Sequence, residues 1–163
     1  MTDVLTLTQG IATIVANDAT IKAWVQTNYS RNHEVYIGVD IRNPPDPETK
    51  FPAVSIYPDT KAVGYDLPKK RHEIGVSVGI NNEELTPVDG VDNLTQATGF
   101  VHVETFRKLV ENAIFGIWVV GTDEIEVGTM NIQYDVIDRF PNFFTDMSWV
   151  LTETYFQGTA IMT

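Results

Sequence analysis

Cysteine is absent from the 163-residue chain. That excludes thiol catalysis, iron–sulfur ligation, cysteine-bound zinc and a disulfide scaffold. Positive charge is scarce: 11 Lys and Arg stand against 22 Asp and Glu, a formal net charge of −11. Tight binding to duplex DNA draws on clustered cations that displace phosphate counterions, so nucleic acid is expected to be repelled rather than held. Long apolar runs are missing as well. No stretch approaches the ~18 apolar residues of a membrane-spanning helix, and the N-terminus has neither the basic nor the apolar region of an export signal. The chain is therefore expected to be neither inserted in a membrane nor exported. Phosphate-loop and dinucleotide glycine patterns are absent, and no internal repeat is visible.

What is present suits a folded domain: 43% hydrophobic and 20% charged residues. A chain this long buries roughly two thirds of its unfolded surface and needs no metal or cross-link to fold. Residues 1–163 read as a single domain with exposed loops at 42–50 and 81–95.

Thr6-Leu7-Thr8-Gln9 offers a capping box, with Leu7, Ile11, Ile14 and Val15 on one helical stripe. Asn17-Asp18 interrupts it and can cap a second segment carrying Ile21, Trp24 and Val25, so residues 6–27 read as one kinked helix or two short ones. Glu34 to Ile41 alternates as a half-buried strand. Three prolines in Asn43–Lys50 make an exposed, semi-stiff loop. Phe51–Pro58 reads as a strand whose prolines suit a sheet edge. His72 to Ile80 places Ile74, Val76, Val78 and Ile80 on one face and Gly75, Ser77 and Gly79 on the other, a stripe small enough for another backbone to approach. Asn81–Thr95, with four acids and no cation, is a solvated insertion. A helix from about Ala97 to Phe115 follows, with Phe106, Leu109, Val110, Ala113 and Ile117 at helical spacing. The remainder is β: 125–137, with a bulge at Gly128-Thr129, then a turn at 138–142 and a strand over 147–156. The order predicts an α+β fold, a mostly antiparallel sheet with two main helices packed on one face.

Chemical motifs are sparse. Gly75-Val76-Ser77-Val78-Gly79 fits the nucleophile-elbow pattern of serine hydrolases, but the alternation runs unbroken through it and a loop follows, where the elbow requires a turn into a helix. Ser77 reads as a mid-strand serine. His33, His72 and His102 lie in three different elements without metal-ligand spacing and read as surface residues. Asp89-Gly90-Val91-Asp92-Asn93 lacks the ligand spacing and closing glutamate of a calcium loop. No catalytic, cofactor-binding or metal residue is assigned, and the chain is not expected to be an enzyme. Lys69-Lys70-Arg71 is the one basic cluster, suited to an acidic partner or to an acidic patch on a second copy. Phe140-Pro141-Asn142-Phe143-Phe144 reads as an apolar turn that a neighbouring subunit would cover.

The order of elements, the strand Phe51–Pro58 with its long successor to Ile80, and the late helix with closing strands ending in Trp149-Val150-Leu151-Thr152 resemble the tail terminator, or tail completion, proteins of long-tailed bacteriophages. The resemblance implies a structural virion protein assembled in the host cytoplasm. Six copies would form a ring on the head-proximal end of the tail tube, stop tube polymerisation and meet the head connector. Partners would then be further copies, the tail tube protein and the head–tail connector protein. Genomic DNA would pass through the lumen unbound, with no cofactor and no membrane. A domain of this size is ~40 Å across. Four in a ring leave a hole of about 16 Å and six leave about 40 Å; a duplex about 20 Å across passes only the larger. Interface candidates are Asp46, Glu48 and Lys50, then Lys69, Lys70 and Arg71, then Phe143 and Phe144, with the sheet edges as ring seams. A head-side connector or stopper, a tube subunit, and an esterase built on Ser77 are the alternatives.

Overall fold

The N-terminal stripe breaks into two helices because Asp18 is better placed as a cap than inside a helix. In the computed structural model, residues 3–43, 46–62, 69–115, 117–120 and 123–154 are described, without the side chains at 60–62, 69–70, 117–120, 123–126 and 154. Helix α1 spans Val4–Asn17 and α2 spans Ala19–Tyr29. The Asp18 carboxylate accepts from the Ile21 amide at 2.8 Å, satisfying one of the donors a helix start leaves open. The Thr6–Gln9 capping box does not form: the helix begins earlier, on Asp3, without a side-chain cap. Leu7, Ile11 and Val15 are buried, and Ile14 is only half-buried.

Strand β1, Glu34–Ile37, is shorter than the alternation predicts. Gly38 adopts φ +69 and turns the chain away, a conformation that costs glycine nothing. A single turn of helix, α3 (Pro47–Lys50), interrupts the expected proline-rich loop. Then come β2 (Ala53–Ala62) and β3 (Lys69–Asn81). The acidic insertion is exposed as expected, but it holds a small hairpin, β4 (Leu85–Pro87) against β5 (Thr95–Ala97). Helix α4 (Thr98–Ile114), β6 (Ile117–Val120), β7 (Asp123–Asp135) and β8 (Asn142–Thr154) complete the chain. Ile117 thus opens a strand rather than extending the helical stripe.

The main sheet has the order β1-β2-β3-β8-β7-β6. Only β1 and β2 run parallel; every other neighbouring pair is antiparallel. The fold is α+β, with α1 and α4 packed on one face of the sheet. On that face Ile74, Val76, Val78 and Ile80 of β3 meet Met147, Trp149 and Leu151 of β8 beneath Val103, Phe106 and Val110 of α4. Pro58 lies beyond the stretch of β2 that β1 covers, where β2 is itself an edge. The ladder shift between Val127 and Met130 is the predicted bulge.

Two expectations are corrected. Phe143 and Phe144 are not in an exposed turn. Strand β8 starts at Asn142, five residues early, and its alternation buries them on opposite faces, at 2% and 1% exposure. The Phe143 ring lies where a Cβ on Gly99 would be, so the glycine at the start of α4 admits it. Phe144 joins Ile41, Phe51 and Ala53 in a second, smaller core. Both are withdrawn as docking positions, and Phe140, 52% exposed, is what the turn presents. Second, the small stripe on β3 does not receive a backbone. The Tyr57 ring lies over Gly75, and the Phe51 and Phe144 rings close on Gly79 to about 3 Å of where a Cβ would sit.

An ionic clamp ties α4 together. Arg107, 4% exposed, donates twice to the Glu104 carboxylate at 2.9 Å and once to Glu111 at 2.5 Å. Tyr134 of β7 donates to Glu104 at 2.8 Å. The Arg107 hydrogen bonds hold the Glu104 carboxyl down at about 2, against the opposite pull of its burial. A carboxylate depressed by folding stabilises fully above its unfolded value of 4.5 and loses that effect as the pH falls toward 2. Urea unfolding at a series of pH values should therefore show stability falling through this window. Glu104→Gln should flatten that part of the curve. An unchanged slope in the variant would mean that the clamp does not carry it.

Candidate functional site

Helices cover one face of the sheet; the other is covered over β3 by Tyr57, Phe51 and the segment after β1, which bury Gly75, Ser77 and Gly79, and is open over β7 and the adjoining part of β8. Strand alternation dictates what it shows. Phe144, Asp146 and Ser148 of β8 share it with Gly75, Ser77 and Gly79 of β3, and Asn131, Gln133 and Asp135 of β7 align with Ser148, Asp146 and Phe144. A shallow cleft of about 470 Å³ crosses this face between Tyr57, Asp59, Gly75, Asn131, Gln133, Asp146 and Ser148. Its lining mixes polar and apolar surface, Ile132 and Met147 included, and Asp59 and Asp146 are the charged residues in it.

Arg42 organises one end. Its guanidinium grips both Asp146 oxygens, through Nη1 at 3.1 Å and through Nη2, and reaches Asp135 through Nε at 3.3 Å. The same group lies 5.4 Å from the Phe144 ring centroid, a cation–π distance. Arg139 donates to the Arg42 carbonyl at 3.1 Å and stands 3.6 Å from Asp135. Burial pulls the Arg42 guanidinium down, but hydrogen bonds and charge from Asp146 and Asp135 more than offset this and leave it above its ordinary value. The loop after β1 is thereby fastened to β7 and β8, strands about a hundred residues further along the chain.

Ser77 stands inside this network and not in a hydrolytic one. Its Oγ donates to Asp146 at 2.5 Å and lies 3.5 Å from the Tyr57 hydroxyl. The strand runs straight through it, without the strand-to-helix turn a nucleophile elbow requires. The histidines are corrected as a group, because they are not simple surface residues. His33, 8% exposed, bonds the Val15 carbonyl through Nε2 at 3.0 Å. Burial holds its ring below the usual value. His72 is buried with its ring 3.4 Å from the Glu153 carboxylate on the helix-covered face. His102 lies 2.7 Å from the Tyr29 hydroxyl, and burial raises Tyr29 to about 12. Among the described residues no group of three or more His, Asp or Glu converges as for a metal.

The expected interface residues separate into distinct places. Asp46 caps α3, accepting from the Glu48 amide at 3.2 Å and the Thr49 hydroxyl at 2.6 Å. The Thr49 bond, ahead of the backbone amides, holds its carboxyl below the ordinary range. Glu48 and Lys50 are exposed beside it, Lys50 lying 3.8 Å from Glu34. Arg71 is exposed near the start of β3; the side chains of Lys69 and Lys70 lie outside the described residues. Arg42, Asp135, Asp146 and Tyr57 were not singled out from the sequence. The available signal was the polar alternation Asn131-x-Gln133-x-Asp135 and Asp146-x-Ser148, which marks a sheet face that no helix covers.

No family model and no curated protein matches the chain. One solved structure aligns over 92% of this chain and 98% of its own length, at 12% identity and a TM-score of 0.43. That likeness carries no functional argument.

Removing the Arg42 side chain leaves two half-exposed carboxylates without their common counter-ion. Arg42→Ala should lower the unfolding free energy by about 1–2 kcal/mol, the range for a charge-assisted pair that water still reaches. In a double-mutant cycle with Asp146→Asn the two effects should couple by about 1 kcal/mol. Purely additive losses in chemical denaturation would show that the pair is incidental.

Proposed function

We propose that this chain is a structural virion protein that closes into a six-membered ring at the head-proximal end of a phage tail tube, ends tube growth and joins the tail to the head connector. The observation that carries this reading is the uncovered part of the sheet face, shallow and bearing Asp59, Asp135 and Asp146. In a chain of net charge −11, a wall whose Arg42 is already engaged by two carboxylates gives DNA phosphates few cations to exchange for their counterions, so a moving duplex is held weakly. The same face is poorly suited to catalysis. Its one hydroxyl in a motif, Ser77, donates to a carboxylate that Arg42 already holds. No helix among the described residues is long and apolar enough to cross a membrane.

Docking would then fall to features beyond the cleft. Glu48 and Lys50 on the α3 turn and Arg71 near the start of β3 are exposed, and the hairpin β4–β5 is separate from the main sheet, with Leu85 60% exposed; Lys69 and Lys70 adjoin Arg71 in sequence. These are the positions offered to the tube, the connector or an adjacent copy.

Negative-stain microscopy of the concentrated protein, with class averages sorted by symmetry, tests the reading. Six-fold rings with a hole wide enough for a duplex are expected. Twelve-fold rings would transfer the assignment to a neck connector. Changing Lys70 and Arg71 together to glutamate should abolish assembly while the circular dichroism spectrum stays that of the folded monomer; rings formed by this variant would remove the basic run from the interface.

A further inference from the structure

The main sheet ends, on both sides, in backbone that has no neighbouring strand among the described residues. Strand β6 covers β7 only over Asp123–Glu126, so Val127–Asp135 has one free edge. At the far side β1 pairs with β2 alone. Stable monomers blunt such edges with lysine, proline or inward charge. Residues 127–134 carry no charge and no proline, and this strand shows Ile132 at 37% and Tyr134 at 47% exposure. On β1, Ile37 is 41% exposed. Copies of a chain carrying −11 repel one another, and a neutral edge is where two can approach.

Facing and direction then select the partner of that edge. Ile37 aligns with Ile56, and Ile132 with Met147, both buried under the helices. The exposed Ile37, Ile132 and Tyr134 therefore all lie on the helix-covered side, so joining β7 of one copy to β1 of the next extends the apolar layer across the joint. Strand directions agree. One parallel step and three antiparallel ones separate β1 from β7, so the two run oppositely. A second copy set beside the first with the same side facing out presents its β1 antiparallel to β7, the stronger mode of pairing. We infer that the free edge of β7 takes β1 of a second copy as an added antiparallel strand, making one continuous sheet with helices outside and the acidic polar face inside. The edges differ, so the contact is head-to-tail, the kind that closes rings.

The number of copies and the inward side rest on the proposed ring; the strand pairing does not. Each copy passes five strands, β1-β2-β3-β8-β7, through such a sheet. Six copies at about 4.8 Å per strand give a backbone circle ~46 Å across, and side chains about 5 Å deep leave ~36 Å, which the segment after β1, packed on that face, narrows further. Four copies would leave only ~21 Å, which a hydrated duplex about 20 Å wide fills completely.

The lack of cysteine makes the pairing testable by cross-linking. Under oxidation Ile37→Cys/Ile132→Cys, or Ile37→Cys/Tyr134→Cys for a register two residues away, should give a ladder of linked chains on a non-reducing gel. Neither Ile37→Cys nor Ile132→Cys alone should link. Ile132→Lys, at an exposed position, should leave the thermal unfolding curve of the monomer in place and abolish assembly. Dimers linked through Ile132→Cys alone would reveal a two-fold β7–β7 joint and overturn the inference. Rings seen by microscopy without a ladder in either double variant would overturn it and leave the ring standing. A ladder with rings of another number would uphold the joint and overturn the six-fold reading. Monomers without any link would overturn both.

Discussion

The antiparallel pairing of β3 with β8 is the interaction on which the rest of the structure depends. Thirteen aligned residue pairs run from Lys69 and Thr154 to Asn81 and Asn142. Side chains alternate across a strand, so fixing this register sorts two sequences into two surfaces at once. One side receives Ile74, Val76, Val78, Ile80, Met147, Trp149 and Leu151 and is sealed by α1 and α4. The other receives Gly75, Ser77, Gly79, Asp146 and Ser148. A slip of one residue would send the isoleucines to water and the aspartate into the core. The polar face is thus a consequence of the same register that builds the core, and the Arg42 network forms on a platform the core has already fixed.

Much of this was legible because it is local. The period of β3, the cap at Asp18 and the bulge at Gly128-Thr129 are each set by residues within a few positions of one another, and each appears as the sequence predicts. What failed was non-local. The run Phe140–Phe144 contains a proline and an asparagine and reads as a turn, yet pairing with Ile80 and Gly79 draws Phe143 and Phe144 into the strand. His72 looks like a polar start to a strand until Glu153, 81 residues away, is placed against it. The parallel pairing of β1 with β2 leaves no mark in either strand, because parallel neighbours are joined by a crossover rather than a turn. For the candidate site, the alternation showed that an uncovered polar face exists; it did not show that Arg42 would be its organiser, since a lone arginine after a strand carries no pattern.

Charge distribution gives the open face a definite character. Arg42 is the cation at its centre, and it is consumed by Asp146 and Asp135. What it does there is permit two carboxylates from adjacent strands to stand close on a low-dielectric floor beside Phe144, where they would otherwise repel. Arg139 adds a second guanidinium beside Asp135, so the network is close to charge-balanced, and Asp59 in the cleft is the carboxylate left over. The Arg42 guanidinium is engaged on both sides by carboxylates and is not offered to an anionic ligand.

Edges and faces then belong to one argument. An antiparallel sheet can keep one face to water, but an edge strand without charge or proline is a ready template for another strand. The free stretch of β7 and the outer side of β1 have opposite direction, the same apolar side and little charge, so a second copy of the chain fits as the proposed continuation. In a closed arrangement of the proposed joint the helix-covered side would be convex and the other concave, because α1 and α4 occupy more room than the single segment after β1 that packs on the other side. Curvature toward the open face follows from that difference in bulk. The acidic surface then lines the interior, and the most crowded elements of the fold lie where the circumference is greatest.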